Sequence, residues 1–93
     1  MKVREIPELD PDSAKVLMAI KERGVVRGSE LLRLAGLTDA KQLAAAVKPL
    51  LNEELISASG ITLDPEQATQ VYYSIRPPAA FLAEQAIAKA MTK

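Results

Sequence analysis

The stretch from Ser29 to Ile56, SELLRLAGLTDAKQLAAAVKPLLNEELI, constrains the fold more than any other part of the chain. Leu31, Leu32 and Leu34 recur at helical spacing and leave Glu30 and Arg33 for solvent. Gly36, after Ala35, supplies the left-handed residue on which such a short helix can end. Thr38 is expected to cap a second helix running from Asp39 to Asn52 or Glu53. In that helix Leu43, Val47, Leu50 and Leu51 face the core, while Lys41, Gln42, Ala45 and Lys48 fall on the outer side. Pro49 removes one backbone hydrogen bond and crowds the carbonyl of Ala45, so a bend is expected there. Leu55-Ile56 then starts a strand. The order is helix, tight glycine turn, helix, strand.

The flanking residues extend this pattern. Asp10-Pro11 is a helix start, with a carboxylate cap and a preset φ at the first helical position. The helix should run from Pro11 to Arg23 and end at Gly24, with Ala14, Leu17, Met18 and Ile20 as its apolar stripe. Val25-Val26 is a short β-prone link, and Ser29 is the expected cap of the helix after it. Residues 1–9 read as an extended segment in which Val3 and Ile6 can pack. Leu55–Leu63 and Ala68–Arg76 read as two strands, the second from the alternation of Val71, Tyr73 and Ile75 with Gln70, Tyr72 and Ser74. Asp64-Pro65-Glu66-Gln67 suits either a type I turn at a hairpin tip or the first turn of a short helix; its β-prone flanks favour the hairpin. Pro77-Pro78 ends the second strand, and an Ala-rich helix is expected over Ala79–Ala90. Residues 10–76 therefore form the domain, and 77–93 add a C-terminal helix for packing or dimerisation.

Composition narrows the function classes. The chain has 93 residues, enough for one core, and no Cys or His. Disulfides, thiolate metal sites and the commonest general base are thereby excluded. The serines have no histidine to activate them, and there is no glycine-rich phosphate loop, so neither an enzyme nor a cofactor is expected. Glu8, Asp10 and Asp12 lack the glycine and distal glutamate of a calcium loop; capping explains them better. No apolar run reaches the length of a membrane span, and the polar N-terminus does not read as a signal peptide, so a cytoplasmic protein is expected. The net charge is zero, but Ser13–Lys48 carries +4 and Pro49–Ala88 carries −4. That asymmetry says more than the total.

Two helices joined by a tight turn form a helix-turn-helix unit. With a short strand before them and two strands after, the chain resembles the winged-helix superfamily, as in small MarR- and ArsR-type regulators. The resemblance covers Ser13 to Arg76. Its best local match is Leu50-Leu51-Asn52-Glu53-Glu54-Leu55-Ile56, which is similar to the family's Leu-x-x-x-Gly-Leu-Ile passage from recognition helix to wing. Lys48-Pro49-Leu50-Leu51 also resembles the family, many of whose members carry a proline near this point. It implies a mainly α fold with a small β-hairpin: a three-helix core, a two-stranded wing and a C-terminal helix. Two departures stand out. Glu54 occupies the usual glycine position, so the helix exit is expected to use Asn52 or a different turn. Ser57–Ser74 contains no Lys or Arg, where a DNA-binding wing usually carries a base.

The resemblance implies a DNA-binding transcriptional regulator, with residues 39–53 as the recognition helix. Lys41, Gln42, Ala45 and Lys48 would enter the major groove. Thr38 and the helix N-terminus would hold a phosphate, and Arg27 and Arg33 would contact the backbone. A homodimer through 79–91 would match two half-sites. Of Tyr72 and Tyr73, one is expected in the core and the other on the wing surface, where it could stack on a base. The alternative is a protein-interaction module, an adaptor or complex subunit whose acidic wing meets another protein and which has no direct DNA role.

Overall fold

The computed structural model describes residues 6, 8–60, 62 and 64–91. The expectations for Val3, for the strand positions Ile61 and Leu63, and for Thr92 and Lys93 lie outside the described residues.

The chain is mainly helical, with a small antiparallel sheet. In order it forms α1 (Pro11–Arg23), β1 (Val25–Arg27), α2 (Gly28–Leu34), α3 (Ala40–Asn52), β2 (Ile56–Ala58), α4 (Pro65–Gln70), β3 (Tyr72–Ile75) and α5 (Ala80–Met91), with a single 3-10 turn at Pro77–Ala79 before α5. The ends of α1 are where local chemistry places them. Asp10 Oδ1 accepts from Ser13 N–H at 2.7 Å, Pro11 takes the first helical position, and Gly24 closes the helix at φ 83°.

The two strands expected after α3 pair antiparallel, but a third strand joins them and a helix replaces the turn between them. Val25–Arg27 is a full strand, and the sheet has three strands in the order β1-β3-β2, all antiparallel. β3 is the central strand and is shorter than the expected Ala68–Arg76, because Pro65–Gln70 is helical. The local signals of the Asp64 turn prevail over its β-prone flanks. Pro65 takes the first helical position, Gln67 Oε1 accepts from Asp64 N–H at 3.3 Å, and Ala68 N–H reaches Asp64 C=O at 3.0 Å. Tertiary contacts then hold α4 against α2 and α3. Ala68 is fully buried, its carbonyl accepts the Tyr73 hydroxyl at 2.7 Å, and that carbonyl lies so close to Gly28 that a Cβ there would collide with it.

The core is aliphatic apart from Tyr73. Leu17, Ile20, Leu31, Leu43, Leu50, Leu55 and Ile56 are almost wholly buried. Ser13 is the one buried polar residue of the described core; its hydroxyl donates to Ala46 C=O at 2.8 Å and ties α1 to α3. Ile6 packs on the core edge, as expected. α5 lies on α1 through Ala83, Ala86 and Ile87, and Phe81 stays exposed.

Two boundaries differ from expectation. Ser29 is not the cap of α2. The helix starts two residues earlier than that cap implies, at Gly28, whose N–H bonds to Val71 C=O at 2.9 Å, a contact with no local sequence signal. α3 runs through Pro49 to Asn52, as expected. Its exit uses neither Asn52 nor a new turn type, for Glu54 itself takes the left-handed conformation at φ 58°. Leu55 N–H bonds to Leu50 C=O at 3.0 Å and Glu54 N–H to Leu51 C=O at 3.1 Å, the paired bonds of a Schellman cap.

Candidate nucleic-acid interface

The site is built on α3. Leu43, Ala46, Val47 and Leu50 are buried, which turns Lys41, Gln42, Ala45 and Lys48 to solvent as one exposed stripe. The helical period read from the sequence therefore brings four of the seven candidate residues together.

The entry to α3 differs from expectation. Thr38 is not its cap. Asp39 is, with Oδ1 accepting from Gln42 N–H at 2.9 Å. A carboxylate is the stronger acceptor for a helix N-terminus, since it also meets the positive end of the dipole. Thr38 instead donates twice to Gln42 Oε1, from its backbone N–H at 2.7 Å and its hydroxyl at 2.8 Å. This has a chemical consequence. Pairing with adenine requires that same amide oxygen to accept from the base, so Gln42 must first release Thr38.

Charge around this entry is mixed. The short helix α4 brings Asp64 and Glu66 to the same hollow that Asp39, Ala40 and Lys41 line. Three carboxylates thus stand around the one lysine at the start of α3, where a phosphate would have to sit. At the other end, Lys48 borders a groove lined by Ala44, Val47, Leu51 and Thr62.

The remaining two candidates lie elsewhere. Arg33 is on α2, with its guanidinium 3.6 Å from the Glu30 carboxylate, both exposed; such a surface pair adds little stability. Arg27 is on β1, directly opposite Tyr72 of β3, and belongs to the sheet rather than to the α3 stripe. Sequence reasoning missed the capping role of Asp39, whose signal was a carboxylate three residues before Gln42. It also missed the partnership of Arg27 with Tyr72, which depends on strand register and has no local signal.

Of the two tyrosines, Tyr73 is the core residue and Tyr72 the surface one. Burial pushes the Tyr73 hydroxyl up to about 12. Among the described residues no group of three acidic or metal-ligating side chains is placed to hold a metal ion, and no helix is long and apolar enough to cross a membrane. No family model matches the chain, and neither do any curated protein or solved structure.

Proposed function

We propose that the chain is a winged-helix binding module that docks α3 on double-stranded DNA and serves as a transcriptional regulator. The observation that carries this reading is the exposed stripe of Lys41, Gln42, Ala45 and Lys48 on the second helix of the pair. The element order supports it, since a short strand, two helices and two further antiparallel strands follow α1 in the order the resemblance implies, with α4 inserted between the last two strands. With two lysines on the stripe, each protomer contacts few phosphates, and the exposed Phe81 on α5 favours a dimer that doubles them.

Titration of a generic duplex at increasing salt tests the reading. Affinity should fall with a log–log slope of about −0.9 per phosphate contacted. Replacing Lys41 and Lys48 together by Glu should abolish binding. Absence of binding at low ionic strength defeats the DNA reading, and binding that survives the double charge reversal moves it off α3.

The cluster of Asp39, Asp64 and Glu66 at the start of α3 favours a second reading, a protein-interaction module with no DNA role. The two readings separate on Asp64→Lys with Glu66→Lys. DNA affinity rises in the first, whereas a protein partner is lost in the second.

A further inference from the structure

The outward face of the sheet is the other organised surface of the molecule. Register and alternation define it. Val26, Ile56 and Tyr73 point into the core, so Val25, Arg27, Ser57, Tyr72 and Ser74 point out. Val25 is 64% exposed and Tyr72 51%. Arg76 continues the alternation of β3, with its N–H bonded to Leu55 C=O at 3.0 Å, and is exposed. No outward position of the three strands carries a carboxylate. Among the described residues neither Arg27 nor Arg76 has an ion-pair partner.

The result is an exposed ring with one cation across the sheet from it and a second further along the chain. Arg27 stands directly across from Tyr72, at the spacing of about 5 Å between paired strand residues. Arg76 lies four residues further along the same strand, about 13 Å away. Ser74 separates Tyr72 from Arg76 along β3, with Val25 beside it on β1 and Ser57 beside it on β2. An acidic peptide would satisfy the arginines but make no use of the ring. An apolar ligand would cover the ring and leave both cations bare. A nucleic-acid strand supplies phosphates and a flat base in alternation, and a duplex hides the faces of its bases in the stack.

We propose that the outer sheet face binds single-stranded nucleic acid, with a base stacked on Tyr72 and phosphates on Arg27 and Arg76. This site uses elements other than the α3 stripe and stands whether or not α3 reads a duplex. Its recognition is tolerant of sequence, because every base offers a π-face.

Fluorescence anisotropy of labelled oligo(dT) and oligo(U) at low ionic strength tests it on the full chain. Tyr72→Ala should weaken binding about tenfold or more, Tyr72→Phe should keep it, and Arg27→Ala with Arg76→Ala should weaken it at least as much. Far-UV circular dichroism checks that each variant is folded; the arginine pair is exposed and tests the site even if Tyr72→Ala does not fold. Lys41→Glu with Lys48→Glu should leave oligonucleotide binding in place, which separates this site from the α3 reading. Three results overturn the proposal: no binding of either oligonucleotide, equal binding by folded Tyr72→Ala, or polyglutamate competing as well as the oligonucleotides.

Discussion

The two central helices leave by the same backbone path on different residues. At the end of α2, Leu37 N–H reaches Leu32 C=O at 2.9 Å and Gly36 N–H reaches Arg33 C=O at 3.2 Å, with Gly36 at φ 71°. The end of α3 repeats both bonds from Leu55 and Glu54, with Glu54 at φ 58°. Glycine adopts that conformation freely, whereas a residue with a Cβ is opposed by roughly 1–2 kcal/mol. The shared element is the leucine that follows, for Leu37 and Leu55 are both buried. Burial of that leucine, rather than the residue type at the turn, determines the path. Glycine makes the path less costly without being required for it.

Truncating the leucines is the strongest way to break this comparison. Leu55→Ala should cost about 2–5 kcal/mol, and Leu37→Ala should fall toward the lower end because Leu37 retains 9% exposure. Urea unfolding midpoints at constant m measure both. If Leu37→Ala costs more, burial of the leucine does not set the path.

Alkali should loosen the sheet and its hold on α4, because Tyr73 pairs with Val26 and Ala58 and its hydroxyl donates to Ala68 C=O. Below pH 10 the phenol is protonated in both the folded and the unfolded chain and contributes no pH dependence. Between the unfolded value of 10.0 and the folded value of about 12, only the unfolded chain ionises, so stability falls as pH rises. The loss should be on the order of 2 kcal/mol. Tyr73→Phe should abolish this pH dependence, as a melting series across that range would show.

Exchanging the turn residues is the direct test. Gly36→Glu should destabilise by about 1–2 kcal/mol. A Cβ at Gly36 meets nothing within 4 Å, so that cost is conformational rather than steric. Glu54→Gly should have the smallest effect and the opposite sign, a gain of about 0.5–1 kcal/mol. Loss of stability in Glu54→Gly would show that the Glu54 side chain contributes an interaction that offsets its backbone cost.

What the sequence disclosed follows the reach of each signal. Both ends of α1 and the α3 stripe were legible, because capping residues and helical spacing act over a few positions. The start of α2 was not, since it depends on Gly28 meeting Val71. Asp64-Pro65-Glu66-Gln67 carried two competing local signals; the capping bonds of the helix start are present, and the packing of Ala68 adds to them. Arg27 is given a DNA-backbone contact only by the family resemblance. Its true neighbour, Tyr72, is chosen by the pairing of β1 with β3. The site is accordingly legible where it follows one helix and hidden where it spans two strands.

The close approach at Gly28 bears on how this scaffold can be altered. The Ala68 carbonyl sits where a side chain at residue 28 would begin. Even alanine there would act as a wedge between α2 and α4, whatever its polarity. The charge of Glu66, by contrast, stands apart from that anchor, whereas Asp64 caps α4. A designer could recolour Glu66 from negative to positive while the seat beneath it stays in place. Residue 28 offers no such freedom: the whole alphabet is closed there except for its smallest letter.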